Sequence, residues 1–423
     1  MKVAVIGSGG REHTIIKKLN ENKKITQLFA IPGNGGMKEA TLVPISVTEI
    51  DKICDFAKEN KIDYVVVAPD DPLVAGMVDA LNAVGIPCFG PDKKAAIIEG
   101  SKVFSKDLMK KYGIPTAKYE VFSNPGDALE YVKTAPLPTV IKADGLALGK
   151  GVIIAETREA AVDAINSIME DKIFGDSGNN IVIEEFLTGP EASVLAFCDG
   201  KHLVPMVSAM DHKRAKDGDK GLNTGGMGTV APNPCYTEDV AKVCMDTIFM
   251  PTIRAMEKEG RPFKGCLFFG LMITPDGPKV IEYNCRFGDP ETQVVLPLLD
   301  SDLLEVMMAC TNGNLDSVDV KFKDKAACCV VMASNGYPEK YDSGFPITVD
   351  GEIDGYLFYA GAKIKNGEVV TAGGRVIGVT AVADDLPKAI AKAYSETEKV
   401  HFANAYKRSD IGKRALGLLK TED

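Results

Sequence analysis

The first hundred residues alternate short, continuous apolar runs with stretches of helical periodicity. The runs Lys2–Ile6, Gln27–Ile31 and Tyr64–Ala68 are rich in β-branched residues, which is typical of strands buried on both faces of a sheet. A helical pattern follows the third run, and we expect it to continue unbroken over 69–84. Strands that alternate with helices predict a doubly wound, parallel α/β domain over 1–100.

The middle of the chain mixes helices, strands and one polar segment. Residues 211–228 are polar and rich in glycine, and we expect a long functional loop there. Apolar runs at 265–273 and 279–284 predict a hairpin. The other predicted elements are a helix at 101–112, strands at 136–142, 152–155, 181–187, 192–198 and 202–206, and helices at 158–169 and 238–258.

The last hundred residues read as short strands followed by a helix that begins near Asp384. This order predicts an α+β domain that closes a substrate cleft. Arg375, beside two glycines, is a candidate contact for a substrate phosphate, although a structural role accounts for it better. The predicted strands are 325–332, 356–360, 368–370 and 374–382.

The stretch Lys279–Gln293 carries the residue types of a metal and phosphate site. Glu282 and Asn284 lie two apart, so their side chains share one face of a strand. A carboxylate and an amide oxygen are hard ligands, which Mg²⁺ accepts when phosphates complete its shell. Arg286 follows on that face if the strand continues, as a fixed cation for phosphate or carboxylate. The alternative is a strand that ends in a polar turn with a surface ion pair.

A glycine-rich loop, Gly7–His13, opens the first helix, where free N–H groups and the helix dipole suit a phosphate. Arg11 adds positive charge there, unless it is a solvated surface residue. A nicotinamide site is disfavoured, because the loop lacks the third glycine of G-x-G-x-x-G and the second strand ends without a ribose-binding acid. Asn34 and Asp70 follow strands, where open α/β sheets bind ligands.

Lysines and acids in the middle of the chain predict a nucleotide clamp. Lys106 lies on a helix, and Lys142 ends a strand before the loop Gly145–Gly151, which lacks the G-K-[ST] ending of a P-loop. This loop is predicted to be a mobile hairpin over phosphates. Glu185 or Glu191 is expected to reach the adenine amine or a ribose hydroxyl. Solvated lysines, an ordinary flexible hairpin and exposed acids are the alternatives.

Composition narrows the class of partner. The 423 residues carry a formal net charge of −10, which argues against nucleic acid or an anionic membrane as partner. No apolar run reaches the roughly 18 residues of a membrane span, and the N-terminus reads as a strand and loop rather than a signal peptide. The ten cysteines form no CxxC pair. We therefore expect a cytoplasmic protein with reduced thiols.

Taken in order, the motifs resemble one family of ligases. They are Gly-Ser-Gly-Gly-Arg-Glu-His, Pro-Gly-Asn, Ser-Lys-x-Phe-x-Lys, Ile-Lys-Ala-Asp-Gly-Leu-Ala-x-Gly-Lys-Gly, Glu-Glu-Phe, Asp-His-Lys-Arg, Asn-Thr-Gly-Gly-Met-Gly, Arg-Phe-Gly-Asp-Pro-Glu-Thr-Gln and Arg-Ser-Asp-Ile-Gly. From end to end, the chain resembles the phosphoribosylamine–glycine ligases of purine biosynthesis, which are ATP-grasp enzymes. The stretch Arg286–Gln293 is the most specific of these motifs.

The resemblance implies a fold and a reaction. The expected domains are a doubly wound α/β domain at 1–100, an ATP-grasp domain at 101–324 with a mobile lid at about 115–188, and an α+β cap at 325–423. In the expected reaction, ATP phosphorylates glycine to glycyl phosphate, and the amine of 5-phosphoribosylamine then displaces the phosphate. This chemistry depends on positioning and charge neutralisation. Mg²⁺ or Mn²⁺ and a monomeric chain are also expected.

The resemblance further implies roles for single residues. Glu282 and Asn284 would hold the metal. The reacting groups would meet Arg286, Asp211, Lys213 and Asn223. ATP would contact Lys106, Lys142, Gly145, Gly149, Lys150, Gly151, Glu184, Glu185, Phe186, Leu187 and Glu191. The other substrates would contact Gly9, Gly10, Arg11, Asn34, Asp70, Asp289, Pro290 and Glu291.

Two departures from the family pattern qualify these roles. Asp70 stands where many relatives have the longer glutamate, so its contact with substrate is the least certain. The strand Leu267–Met272 has no acid, so Glu282 and Asn284 carry more of the metal binding. Three other hypotheses stay open: a grasp ligase with another substrate, a nicotinamide oxidoreductase, and a nucleotide-binding regulator without turnover.

Overall fold

The computed structural model describes residues 1–146 and 151–417. Its N-terminal strands are β1 (Lys2–Gly7), β2 (Gln27–Pro32), β3 (Thr41–Leu42), β4 (Tyr64–Val67) and β5 (Cys88–Phe89). They form a parallel sheet in the order β3-β2-β1-β4-β5. The accompanying helices are α1 (Gly10–Leu19), α2 (Ile50–Glu59), α3 (Asp70–Ala75), α4 (Met77–Ala83) and α5 (Lys93–Gly100). The predicted doubly wound parallel sheet is confirmed.

The single helix predicted over 69–84 is wrong. Gly76 has a φ of 99°, a left-handed conformation that ends α3 and precedes α4. A glycine adopts this conformation at little cost, so it breaks a helical pattern that apolar periodicity alone would continue.

A four-stranded antiparallel sheet follows, with a hydrophobic core of its own. Its elements are α6 (Lys102–Tyr112), β6 (Tyr119–Phe122), α7 (Pro125–Val132), β7 (Thr139–Ala143), β8 (Val152–Ala155), α8 (Arg158–Ile165) and β9 (Ile181–Glu185), with a π-helical turn at Asn166–Glu170 and a 3₁₀ turn at Gly175–Gly178. The strand order is β6-β9-β7-β8. A small sheet with a separate core is the architecture expected of a lid.

The second central sheet carries the predicted metal strand. Its elements and neighbours are β10 (Glu191–Asp199), β11 (Leu203–Pro205), β12 (Met210–Asp211), β13 (Arg214–Lys216), β14 (Lys220–Asn223), β15 (Gly228–Ala231), α9 (Glu238–Cys244), α10 (Met250–Lys258), β16 (Lys264–Thr274), β17 (Gly277–Asn284), α11 (Thr292–Leu298) and α12 (Leu303–Asn312). A π-helical turn at Met245–Phe249 joins α9 to α10, and a 3₁₀ turn spans Leu315–Ser317. The antiparallel strand order is β11-β10-β16-β17.

The C-terminal sheet takes two strands from the middle of the chain. The remaining elements are β18 (Ala326–Ser334), β19 (Thr348–Val349), β20 (Tyr356–Tyr359), β21 (Ala362–Lys365), β22 (Glu368–Thr371), β23 (Arg375–Ala383), α13 (Leu386–Thr397), β24 (Val400–His401) and β25 (Ala405–Tyr406). The main sheet has the order β12-β15-β18-β23-β20. Pairing of β15 with β18 therefore crosses the boundary predicted at residue 324, and the domain limits stay a prediction.

The long loop predicted at 211–228 is also wrong, because half of this segment pairs as strands. β13 and β14 form a separate hairpin with a turn at Gly218 and Asp219, both at positive φ. Polar composition concealed the hairpin, since its strands have no buried apolar face. Within the two described ranges, none of the helices combines the length and apolarity that a membrane crossing requires.

Candidate active site

β17 presents both predicted metal ligands away from the core. A β-bulge lies just before Glu282, where the pairing register with β16 shifts. Val280 is buried upstream of the bulge and Tyr283 downstream of it, so Glu282 and Asn284 share the less buried face. Gly270 pairs with Glu282, and a Cβ at Gly270 would lie only 3.1 Å from Glu282 Cγ. The glycine gives the carboxylate its space.

The Glu282 carboxylate lies among cations without touching one. Burial opposes its ionisation, yet the charges of Lys213, Lys142, Lys102 and Arg286 together hold its pKa below the usual value. Within 1–146 and 151–417, no hydrogen bond or ion pair reaches this carboxylate. An ionised carboxylate with unused lone pairs is a donor that Mg²⁺ prefers, so the site fits the predicted metal.

Arg286 does not extend β17 but folds back against its end. Its Nη2 donates to Asn284 Oδ1 at 3.1 Å and lies 3.1 Å from Glu99 Oε1. The other oxygen of Glu99 accepts from the Cys285 N–H at 2.6 Å. In the described part of the chain, the Arg286 Nε is buried and has no acceptor. One donor of the guanidinium therefore remains for a ligand.

Lys106, Lys142 and Glu184 form a buried charge cluster. Each ammonium group lies 3.0 Å from a different oxygen of Glu184, and the three side chains are at most 5% exposed. Lys106 also donates to Thr116 Oγ1 at 2.7 Å, and Lys142 donates to Ile281 O at 3.1 Å. Burial lowers the pKa of Lys106 to about 8, against the opposing charge of Glu184. The structure thus makes Glu184 the counter-ion of both lysines.

The other predicted nucleotide contacts surround this cluster. Lys102 Nζ donates to Gly145 O at 2.6 Å, which ties α6 to the start of the glycine loop. Glu185 Oε1 accepts from the Lys118 N–H at 2.9 Å, and Phe186 is exposed. Leu187 is half-buried, and Gly151 precedes β8. Gly149 and Lys150 lie outside the described residues.

Lys213, two residues after β12, interacts with the charges of Glu191, of Asp211 and of Glu282 on β17. Lys213 Nζ lies 2.9 Å from Glu191 Oε2, and Glu191 raises the Lys213 pKa, with further contributions from Glu282 and Asp211. Burial and the charge of Glu291 raise the pKa of Asp211 well above its usual value. The charge of Glu291 therefore opposes the ionisation of Asp211, and the charge of Lys213 acts against the increase in the pKa values of both acids.

The remaining member of the predicted catalytic set lies apart from them. Asn223 is the last residue of β14, where it pairs with Arg214 and is exposed. Glu291, predicted to contact substrate, is buried and accepts from Ser193 Oγ at 3.1 Å. Burial raises the pKa of Glu291.

The N-terminal glycine loop packs directly against the turn that follows Arg286. The Arg11 N–H donates to Asp289 Oδ2 at 3.3 Å, and Arg11 Nη1 donates to Phe287 O at 3.1 Å. The Gly9 N–H donates to Glu12 Oε2 at 2.6 Å, and Glu12 also pairs with Arg11 at 2.6 Å. The Arg11 guanidinium therefore has protein partners and is not a solvated surface group.

Three further predicted residues lie close by. Gly10 is the first residue of α1. Pro290 follows Asp289 in the turn, and Asp289 Oδ1 lies 3.2 Å from Arg375 Nη1. Arg375 also donates to Gly225 O at 2.8 Å and to Asp289 O at 3.0 Å, so it has the structural role that the sequence favoured.

The last two predicted substrate residues, Asn34 and Asp70, lie in different surroundings. The Asn34 amide donates to Ser8 O and Tyr359 O, both at 2.8 Å, and accepts from the Gly36 N–H at 2.9 Å. Its polar atoms thus join the N-terminal loops to the C-terminal sheet. Asp70 is half-buried at the start of α3.

The family is shown by sequence comparison. Residues 1–99, 100–292 and 327–414 match the N domain, the ATP-grasp (A) domain and the C domain of phosphoribosylglycinamide synthetase. The chain belongs to the phosphoribosylglycinamide synthetase family. The three-part architecture predicted from the sequence, with an N-terminal parallel sheet and a central ATP-grasp domain, is thereby confirmed.

Individual synthetase relatives match over nearly their full length. The phosphoribosylamine–glycine ligase of Caldanaerobacter subterraneus subsp. tengcongensis is 46% identical over 413 residues, which cover 97% of this chain and 99% of that protein. The ligase of the same name from Clostridium acetobutylicum is 46% identical and covers 98% and 100%. A crystal structure of the Thermotoga maritima ligase superposes with a TM-score of 0.87 at 34% identity, over 97% of this chain and 100% of that one.

Some residues of this synthetase site were not predicted. Glu99, Thr116 and Ser193 contact Arg286, Lys106 and Glu291. No spacing signal in the sequence links these partners, because Glu99 and Ser193 are far along the chain from Arg286 and Glu291, and Thr116 lies beyond the end of the helix that carries Lys106. Glu99 ends α5 and carried no sequence signal of its own, although a buried acid at a domain junction is a reason to look for a cationic partner.

Proposed function

We propose that this chain ligates glycine to 5-phosphoribosylamine at the cost of ATP, through glycyl phosphate, in de novo purine biosynthesis. The products are glycinamide ribonucleotide, ADP and phosphate. The observation that carries the proposal is the ionised Glu282 carboxylate, which has no hydrogen bond or ion pair within residues 1–146 and 151–417 and lies in the field of four cationic side chains. Such a site neutralises an ATP tail and a developing acyl phosphate, which is what phosphoryl transfer requires.

Glu282 and Asn284 are the residues that would hold Mg²⁺ or Mn²⁺, by a carboxylate and an amide oxygen. When bound, the ion supplies positive charge to the transferring phosphoryl group. Arg286 orients the Asn284 amide by donating to its oxygen, so the oxygen lone pair that remains is directed by the protein.

Lys106 and Lys142 would bind the ATP phosphates. They share Glu184 as counter-ion, so the two ammonium groups are already held together before nucleotide arrives. Positioning charge in advance reduces the reorganisation that binding and reaction need. Phe186, exposed beside the end of β9, offers an apolar surface to adenine.

The carboxyl pair Asp211 and Glu291 would meet glycine. Both groups have raised pKa values through burial, and their proximity favours a bound cation. The α-ammonium group of glycine is such a cation. Arg286, through its free Nε, and Lys213 are placed to neutralise the glycine carboxylate as it accepts the phosphoryl group.

The loop Gly9–Arg11 and the turn at Asp289 would bind 5-phosphoribosylamine. They touch through the Arg11 N–H and Asp289 Oδ2, so the two segments bound one space. We further infer that the enzyme is cytoplasmic and monomeric. Light scattering on the purified chain tests the monomeric state.

The deciding experiment measures ADP release with ATP, Mg²⁺ and glycine, with and without freshly prepared 5-phosphoribosylamine. We expect release to require both glycine and the amine, with glycinamide ribonucleotide detected by mass spectrometry. ADP release independent of the amine, or product formation with another amine in its place, would contradict the proposed substrate. Mn²⁺ in place of Mg²⁺ and a metal-free reaction complete the series.

A further inference from the structure

The hairpin of β13 and β14 stands apart from the larger sheets. Within the described residues the two strands pair only with each other, and all four residues of β14 are exposed. Lys213 immediately precedes the hairpin and Asn223 ends it, joined by the Thr224 N–H, which donates to Lys213 O at 2.8 Å. Whatever fixes this hairpin therefore also fixes the backbone at Lys213.

Arg408, which is fully buried, attaches the hairpin to the C-terminal end of the chain. Its Nη1 donates to Arg214 O at 3.0 Å and to Asp219 Oδ1 at 2.9 Å. Its Nε and Nη2 donate to the two oxygens of Asp410 at 2.7 and 2.9 Å. A bidentate pair of this kind holds the guanidinium in one orientation, so the backbone of Arg214 is held with it.

Ser409 and Asp410, which follow Arg408, form hydrogen bonds with the turn of the hairpin. The Ser409 N–H donates to Asp217 Oδ1 at 2.8 Å, and its hydroxyl bonds to the same carboxylate. The Gly218 N–H donates in turn to Asp410 Oδ2 at 2.8 Å. Each of the two segments donates hydrogen bonds to the other, so both the position and the orientation of the turn are fixed.

The base of the hairpin has its own attachment. The Gly412 N–H donates to His212 Nε2 at 3.1 Å, and Arg414 donates to Asp211 O at 3.3 Å and pairs with Asp219 at 3.2 Å. Burial lowers the pKa of His212 to about 4, so its ring is neutral and Nε2 keeps its acceptor lone pair. Asp211 and Lys213 flank this fixed histidine.

We propose that residues 406–414 are a positioning element for the ligation reaction. They hold the hairpin so that the Lys213 ammonium group stays within the electrostatic reach of Glu282 and the reacting phosphoryl group. The inference rests on the proposed function, because the part played by Lys213 belongs to it. It gives a role to the motif Arg408–Gly412, whose resemblance to the family carried no function from sequence.

The test variant is Asp219→Asn, which keeps the shape of the side chain but weakens the pairs with Arg408 and Arg414. Asparagine tolerates the φ of 52° at this position, so the turn itself is preserved. We expect kcat to fall about tenfold with the KM for ATP unchanged. The matched control is Asp350→Asn, which removes an exposed partner of His401 in the C domain and should leave kcat unaltered.

A second background separates positioning from general stability. In Lys213→Met, Asp219→Asn should cause no further loss of kcat, because both changes act through one group. A further tenfold loss in that background, or a normal kcat despite faster hydrogen exchange of amides 214–223, would overturn the inference. If the wild-type chain makes no glycinamide ribonucleotide, the proposed function fails. Separately, if amides 214–223 exchange as slowly in Asp219→Asn as in the wild type, the anchoring of the hairpin is refuted.

Discussion

Two acidic side chains, Glu184 on β9 and Glu282 on β17, both interact with the charge of Lys142 but differ in their direct contacts. Glu184 touches two lysines at 3.0 Å and is nearly inaccessible. Glu282 feels four cations but bonds to none of them within the described ranges. Glu184 is thus an internal counter-ion, although its Oε1 accepts no hydrogen bond from the described residues, and Glu282 is an ionised group available to a ligand.

The difference arises from the local backbone. Glu184 lies in a regular strand, β9, between two paired neighbours, so its side chain is enclosed by the lid core and α6. Glu282 follows a bulge in β17 and faces a glycine, which leaves open space around its carboxylate. We therefore expect changes at Glu184 to affect folding and ATP binding, and changes at Glu282 to affect turnover.

The largest effect is expected for Glu282→Gln. Glutamine lacks the negative charge that would hold the metal ion beside the ATP phosphates, so kcat should fall by about a thousandfold or more. The melting temperature should fall only modestly, because the ionised carboxylate loses its attraction to the surrounding cations, but no hydrogen bond or ion pair within the described residues is lost. Steady-state ADP release and a thermal melt measure both. Full activity in Glu282→Gln would refute the metal assignment.

Glu184→Gln should behave in the opposite way. Removing the shared counter-ion leaves two buried ammonium groups facing each other, which costs about 3 kcal/mol of unfolding free energy. Urea denaturation measures this loss. A double change, Glu184→Gln with Lys106→Met, removes one of the stranded charges and should recover part of the stability. Equal stability of Glu184→Gln and the wild type would mean that the cluster contributes nothing.

The lysine cluster also predicts a pH dependence for ATP binding. Burial sets the pKa of Lys106 at about 8, below its usual value, so the ammonium form is lost as pH rises through that value. The apparent KM for ATP should therefore rise above pH 8. In Lys106→Arg the side chain stays charged, so the rise should disappear. A KM that is flat to pH 9.5 in the wild type would contradict the role of Lys106.

The smallest effect is expected at the carboxyl pair. Asp211→Asn removes one of two buried acids whose charges repel, so unfolding free energy should increase by about 1 kcal/mol while activity falls. The sign follows from the raised pKa, because an acid that resists ionisation in the folded state destabilises the fold once pH exceeds its unfolded value. Denaturation at pH 5 and pH 8 should show a larger gain at pH 8.

The strand that carries Glu282 and Asn284 could be predicted from the sequence because its signal is local. Glu282, Asn284 and Arg286 are spaced by two, and alternation on a strand needs no knowledge of the rest of the fold. The condition under which Arg286 would share that face is not met, since β17 ends at Asn284 and the guanidinium folds back.

Partners supplied by distant elements had no such signal. Glu99 reaches Arg286 only because α5 packs at the end of β17, and the hairpin of β13 and β14 exists through contacts with residues 406–414. Local periodicity likewise missed the break at Gly76, where a single backbone dihedral overrides an apolar pattern. Predictable features were those that neighbours in sequence determine.

The exchange of strands between the middle and the end of the chain makes the C-terminal domain inseparable. β15, from residues 228–231, has β18 as its neighbour on one side and the short β12 on the other. A fragment ending at residue 324 would expose that edge to water and to other chains. The main C-terminal sheet thus depends on strands from both sides of residue 324, and cleavage there would separate the sequences of β15 and β18.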